Sequence, residues 1–143
     1  MRDISNRVKS VTCQDAKVFT SDTNGTTVDR KGFESLMFIV NSGIEGDTLS
    51  GSVKFDFILE HSDDDTTFTA VTSSTDVTET SVDSSGIFLT LDANGETPQT
   101  STIGYIGNKR YARVKIDATG THSNGTPISV QAVLGNPMDS EDA

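Results

Sequence analysis

A side-chain period of two recurs along this chain, and no helical stripe of useful length interrupts it. Residues 53–61 read V-K-F-D-F-I-L-E-H, with Val53, Phe55, Phe57 and Leu59 on one face and Lys54, Asp56 and Glu60 on the other; Ile58 is the exception. Residues 111–118 place Ala112, Val114, Ile116 and Ala118 against Tyr111, Arg113, Lys115 and Asp117. Residues 128–134 keep Ile128, Val130, Ala132 and Leu134 in phase. Successive side chains of a strand point to opposite faces, so each segment predicts a strand with one buried face. Residues 33–40 (F-E-S-L-M-F-I-V) become apolar on both faces, which predicts a central strand of a packed sheet.

The intervals supply the turns. Asn24-Gly25, Asn94-Gly95 and Asn124-Gly125 tolerate positive φ, and residues 41–51 hold three glycines. Ser62 and the acidic Asp63-Asp64-Asp65 predict a hairpin tip, with residues 68–71 as the return strand. Residues 103–118 predict a second hairpin around Gly107-Asn108. Further strands are expected over 11–19 and 86–91, while 66–85 is biased toward Thr, Ser and Asp and is expected to be partly irregular and mobile. Seventeen Ser and twenty Thr among 143 residues are poor helix material and suit strands and turns. About eight short strands follow: an all-β, antiparallel β-sandwich of jelly-roll type. The domain reading is an N-terminal arm over 1–10, a sandwich over 11–137 and an acidic tail over 138–143.

Net charge is −10, from 21 acids against 11 Lys and Arg. Phosphate contacts need clustered basic residues, so neither nucleic acid nor an anionic membrane is an expected partner. The charge is unevenly spread. Ten acids and no Lys or Arg lie between 55 and 108, whereas Arg2, Arg7 and Lys9 open the chain and Lys109, Arg110, Arg113 and Lys115 form a second basic group. Two readings stand side by side: a solvated acidic surface that keeps the chain soluble, or a polarity in which basic edges meet acidic centres of neighbouring subunits. Cys13 is the one cysteine, which excludes an internal disulfide and fits a reducing compartment. Residues 1–10 show no apolar signal-peptide core, and no run approaches a membrane span; synthesis in a cytoplasm is the expectation.

Chemistry-bearing motifs are sparse. The acidic triplet lacks the glycine and bidentate glutamate of a calcium loop, and a solvated hairpin tip explains it. His61 and His122 stand 61 residues apart with no ligand at short spacing, so no metal is expected. Cys13 has no base suggested beside it. Nucleophile elbows and phosphate-cradling glycine loops are lacking, so neither an enzyme nor a cofactor is expected. Asn24-Gly25-Thr26 and Asn124-Gly125-Thr126 read as Asn-Gly turns rather than glycosylation sites. Sugar binding needs exposed aromatic platforms, and the chain has no Trp and two Tyr.

Two segments carry a resemblance. F-I-L-E-H-S-D-D-D-T-T-F-T-A-V (57–71) and G-Y-I-G-N-K-R-Y-A-R-V-K-I-D … G-T-P-I-S-V-Q-A-V-L-G-N-P (104–137) resemble small structural proteins of the head module of tailed bacteriophages, with their L-E-H-S-D-D hairpin, G-x-K-R-Y-x-R-V strand and closing A-V-L-G-x-P. The likeness implies a virion role, foremost a capsid cement or decoration protein that binds the major capsid protein and copies of itself, as a trimer or other small oligomer. Alternatives are a connector, tail or fibre component, or a glycan-binding sandwich. The candidate contacts with capsid or subunit are Arg2, Arg7, Lys9, Lys109, Arg110 and Arg113, the first three on an arm laid along a neighbour.

Overall fold

The computed structural model describes residues 3–138. Among them run ten strands: β1 (Val8–Phe19), β2 (Val28–Asp29), β3 (Phe33–Ser42), β4 (Lys54–Ser62), β5 (Thr69–Ala70), β6 (Val77–Thr78), β7 (Ile87–Leu91), β8 (Gln99–Tyr105), β9 (Tyr111–Thr119) and β10 (Thr126–Pro137). One sheet, A, has the order β1-β10-β3-β8-β6. The other, B, has the order β2-β9-β4-β5, with β7 also on β4. All ladders are antiparallel.

β5 and β7 occupy successive stretches of one edge of β4: Glu60 and His61 face Ala70 and Thr69, and Phe55 to Ile58 face Leu91 to Ile87. Counted as one position, they complete a set of eight: β1, β10, β3 and β8 against β2, β9, β4 and β5/β7. That is jelly-roll order, with β6 added beside β8. The β-sandwich expected from the alternating segments is the fold.

The two inner faces form the core. Phe38, Phe55, Phe57, Leu59, Ile103, Val114, Ile116 and Val130 show no exposed surface. Each large apolar side chain buried this way contributes about 1.5–3 kcal/mol before entropy is counted. β3 is indeed central in its sheet, with Leu36, Phe38 and Val40 buried. Asp56 belongs to the outward set of β4 yet is buried, because β7 and β9 flank it; Thr90 donates to it at 2.6 Å and Lys54 lies 3.4 Å away.

β1 closes the sandwich at one edge by leaving strict register. Its pairing with β10 shifts around Cys13 and again between Gln14 and Lys17. An extra residue in one strand reorients its side chains. Here it turns both Cys13 and Gln14 inward, toward β9 of the other sheet. Thr23 bridges Ile116, and β2 pairs with Ala112, leaving Val114 between them with no strand residue opposite on that side. Side chains fill the gap. Gln14 Nε2 donates to Val114 O at 3.1 Å and to Thr23 O at 3.0 Å, and Val114 N donates to Cys13 Sγ at 3.4 Å. Gly25 passes so close that a Cβ there would sit 2.3 Å from Val114 O. Its role is this approach, whereas Gly125 does take the expected positive φ, 77°.

Two expectations need correction. β8 and β9 do not form a hairpin: β8 lies in sheet A and β9 in sheet B, so residues 106–110 arch between the sheets. Both edges of β8 are taken by β3 and β6, and Ile106 N is held by Asp76 O at 2.8 Å. Gly107 permits the arch by packing on the Tyr105 ring, where a Cβ would fall 2.5 Å from the hydroxyl. Next, the strand expected from residue 11 begins at Val8, so residues 8–10 of the presumed arm pair with Val133 to Gly135. The stretch 66–85 is partly irregular, as expected: β5, a 3₁₀ turn at Ser74–Asp76 and β6 are its short regular pieces, and it buries Val71 and Val77.

Candidate interaction surface

The inner halves of both sheets are spent on the core, so any partner must meet an outer face, an edge or a loop. Outer positions of sheet A are set by register: Val8 faces Gly135, Val133 faces Met37, and Met37 faces Gly104. Between them lies an apolar trough of about 430 Å³, lined chiefly by Ile4, Val8, Met37, Ile106 and Val133, with Glu79 as its charged lining residue. Ile4 and Ile106 are 64% and 57% exposed. A turn closed by Arg7 N donating to Ile4 O at 3.0 Å holds Ile4 at one end. A second recess of about 410 Å³ continues past Arg7 toward Asn136 and Pro137. A grouped set of exposed apolar side chains marks a protein contact more often than chance scatter does.

The candidate residues named from the sequence divide in two. Arg2 lies outside the described residues. Arg7 is exposed beside the trough, and Lys9 is exposed on the edge strand β1 opposite Leu134. The second group is engaged inside the chain. Lys109 Nζ contacts Asp63 at 2.7 Å. Arg110 grips Asp29 through Nε and Nη2, both at 2.8 Å. Arg113 binds Glu60 at 2.8 Å and stacks 3.8 Å from the centre of the Phe68 ring. Arg110 and Asp29 hold each other in the charged state, and the carboxyl of Asp29 falls below the usual range because of that guanidinium. Lys115 extends the sequence group, and among the described residues no ion pair places it with the others.

The groups considered for chemistry are also accounted for. Asp64 accepts from Thr67 N, Thr66 N and the Ser62 hydroxyl, and these donors lower its pKa. Ser62 and Asp64 thus build the hairpin tip themselves. His61 Nδ1 lies 2.8 Å from Tyr105 Oη, which accepts from Lys109 N at 3.3 Å. Burial first, and the Lys109 charge second, lower the pKa of His61. Burial pushes the Cys13 thiol up to about 11, so it is protonated at neutral pH, and its near neighbours are backbone atoms of Val114 rather than a base. Among the described residues no three His, Cys, Asp or Glu side chains converge as metal ligands. No described helix is long and apolar enough to cross a membrane.

No single stretch of sequence names the trough. Its signal was the run Leu36-Met37-Phe38-Ile39-Val40: with Leu36, Phe38 and Val40 turned inward, Met37 and Ile39 had to face out.

Fold and surface together define a jelly-roll sandwich with an apolar trough on the outer face of sheet A. No family model and no curated protein matches the chain. Among solved structures it is similar to the crystal structure of SPBc2 prophage-derived protein YomS, with a TM-score of 0.51 at 15% identity over 89% of this chain and 91% of that one. At that identity the likeness is one of fold.

Proposed function

We propose that this chain is a structural protein of a tailed-phage particle, a cement or decoration protein that binds the major capsid protein across neighbouring capsomers and works without bond-making chemistry. The observation that carries the reading is the apolar trough on the outer face of sheet A, which offers a rigid sandwich a surface to dock. The prophage origin of the structural neighbour and the head-module motifs at 57–71 and 104–137 support the phage setting. Paired basic residues, a protonated thiol and a self-satisfied acidic turn are what a scaffold needs and give a reaction little to work with. Repetition on a lattice multiplies a modest single contact into avidity.

The test is a shell assay. Empty capsids are heated with and without the purified chain while occupancy is measured. The chain is expected to load the shell and raise its disruption temperature. A Met37→Asp, Ile106→Asp double variant, still folded by circular dichroism, is expected to load poorly. Unchanged shell stability and no occupancy by the native chain would refute the reading.

A further inference from the structure

The chain carries three Asn-Gly pairs, at 24–25, 94–95 and 124–125. Such a pair has a chemistry of its own. The main-chain nitrogen of the glycine can attack the side-chain carbonyl carbon of the asparagine, because glycine has no Cβ to crowd the approach and turns freely. In a folded chain the reaction depends on letting the two atoms reach attack geometry and on stabilising the oxyanion that forms. The three pairs differ in both respects.

Two pairs are locked. Gly125 N donates to Asp47 Oδ2 at 2.7 Å, and Asn124 Nδ2 donates to Gly46 O at 2.9 Å, so nucleophile and side chain are held apart on the 43–53 loop. Asn24 is exposed, but Gly25 is buried against Val114 O and Cys13 Sγ. On either side of the pair, Thr23 N donates to Ile116 O at 2.9 Å and Thr26 N to Cys13 O at 2.7 Å. The main chain there cannot turn without straining these bonds. Asn94-Gly95 is arranged the other way. Both residues are exposed, and Gly95, at φ 94°, has open space where a Cβ would stand. Among the described residues nothing accepts from its N–H. Glu96 shapes the tip, its Oε2 accepting from Asp92 N at 2.8 Å and Ala93 N at 3.0 Å. From the neighbouring loop, Leu49 N donates to Asn94 Oδ1 at 2.9 Å. That donor sits on the oxygen that gathers negative charge when Cγ is attacked, and a donor placed there lowers the barrier.

We propose that Asn94 is a self-modifying residue, which cyclises onto Gly95 N and becomes aspartate or isoaspartate in the folded chain well ahead of Asn24 and Asn124. The bond between Gly95 N and Asn94 Cγ forms and the Cγ–Nδ2 bond breaks. The Gly95 proton leaves with Nδ2 as ammonia, and a succinimide remains. Water then opens the ring at either carbonyl. Opening at Cγ leaves aspartate at 94. Opening at the main-chain carbonyl leaves isoaspartate, with an extra methylene in the backbone. Either product adds a negative charge to a loop that already holds Asp92 and Glu96. Isoaspartate also moves the acceptor away from the N–H of the buried Leu49, which loosens the tie between loops 43–53 and 92–98. The inference concerns the chain alone and does not rest on the capsid reading.

Peptide mapping by mass spectrometry on the full native chain tests it, with samples taken over time at mildly alkaline pH and isoaspartate counted by enzymatic methyl transfer. The Asn94 peptide is expected to convert at least about tenfold faster than the other two, a barrier difference of about 1.4 kcal/mol. In urea, where the locks are gone, the three are expected to draw level. Asp47→Ala releases Gly125 N and is expected to speed Asn124 several-fold. A smaller lead for Asn94 in the native chain, or conversion confined to the urea sample, overturns the inference. So does an Asp47→Ala chain, folded by circular dichroism, in which Asn124 stays as slow as in the native protein.

Discussion

Gln14 offers a sharp check on how β1 closes the sandwich. Its side chain is 3% exposed and donates to two main-chain carbonyls, Val114 O at 3.1 Å and Thr23 O at 3.0 Å. Replacing it with leucine keeps the volume and removes both donors. Two neutral hydrogen bonds are worth about 1 kcal/mol each, and an acceptor left buried and unpaired costs about 1–3 kcal/mol more. Thr23 O keeps the Ile116 N–H at 2.9 Å, whereas Val114 O is left with the weak, distant Cys13 thiol at 3.9 Å. Added leucine apolar surface offsets part of the loss, so Gln14→Leu should destabilise by about 2–4 kcal/mol. For a chain of this size that is a fall in Tm of roughly 6–14 °C. Urea unfolding followed by circular dichroism, with m unchanged, reads the difference directly. Thr12→Ala, exposed in the same strand, serves as the control and should shift stability by less than about 0.5 kcal/mol. A Gln14→Leu protein within 0.5 kcal/mol of the native chain would show that the clasp does not secure β1.

Two further outcomes follow from the half-buried Asp117 and the buried Cys13. The carboxyl of Asp117 is raised by burial and then by the neighbouring Asp22 charge, with Asp56 adding to it. A carboxyl raised on folding favours the folded state at low pH and loses that contribution as pH climbs through its folded value. Asp117→Asn should therefore raise stability at pH 7, with the gain shrinking as pH falls into the range where Asp117 is protonated; a gain that is constant from pH 3 to pH 7 would refute this. Cys13, with its thiol pushed up to about 11, should react with a thiol reagent orders of magnitude more slowly in the native protein than in urea. Comparable rates in the two states would contradict its burial.

The fold was legible where one face of a strand is buried and the other is wet. β4 and β9 declare themselves because Phe55, Phe57 and Leu59, or Ala112, Val114 and Ile116, share a face. The same alternation says nothing about which sheet a strand joins, and so Gly107-Asn108 passed for a hairpin turn when it supports an arch. The start of β1 was missed because Val8-Lys9-Ser10 has little apolar pattern; its pairing comes from the length of β10. For the surface, the run Lys109 to Lys115 was visible as positive charge, but its partners Asp63, Glu60 and Asp29 are 46, 53 and 81 residues distant. Only the folded chain shows that these charges are matched internally. The trough draws on Ile4, Met37, Ile106 and Val133, residues from four separate segments that no local window joins.

Val8 lies opposite Gly135, so the chain enters and leaves the sandwich side by side next to the trough. Val8 and Gly135 both line the trough, so whatever seats there touches the first and the last strand at once. A linker joining the start of β1 to the end of β10, with new ends opened in an exposed loop, would give a permuted sandwich in which these two edge-to-centre neighbours are covalently continuous beside the trough.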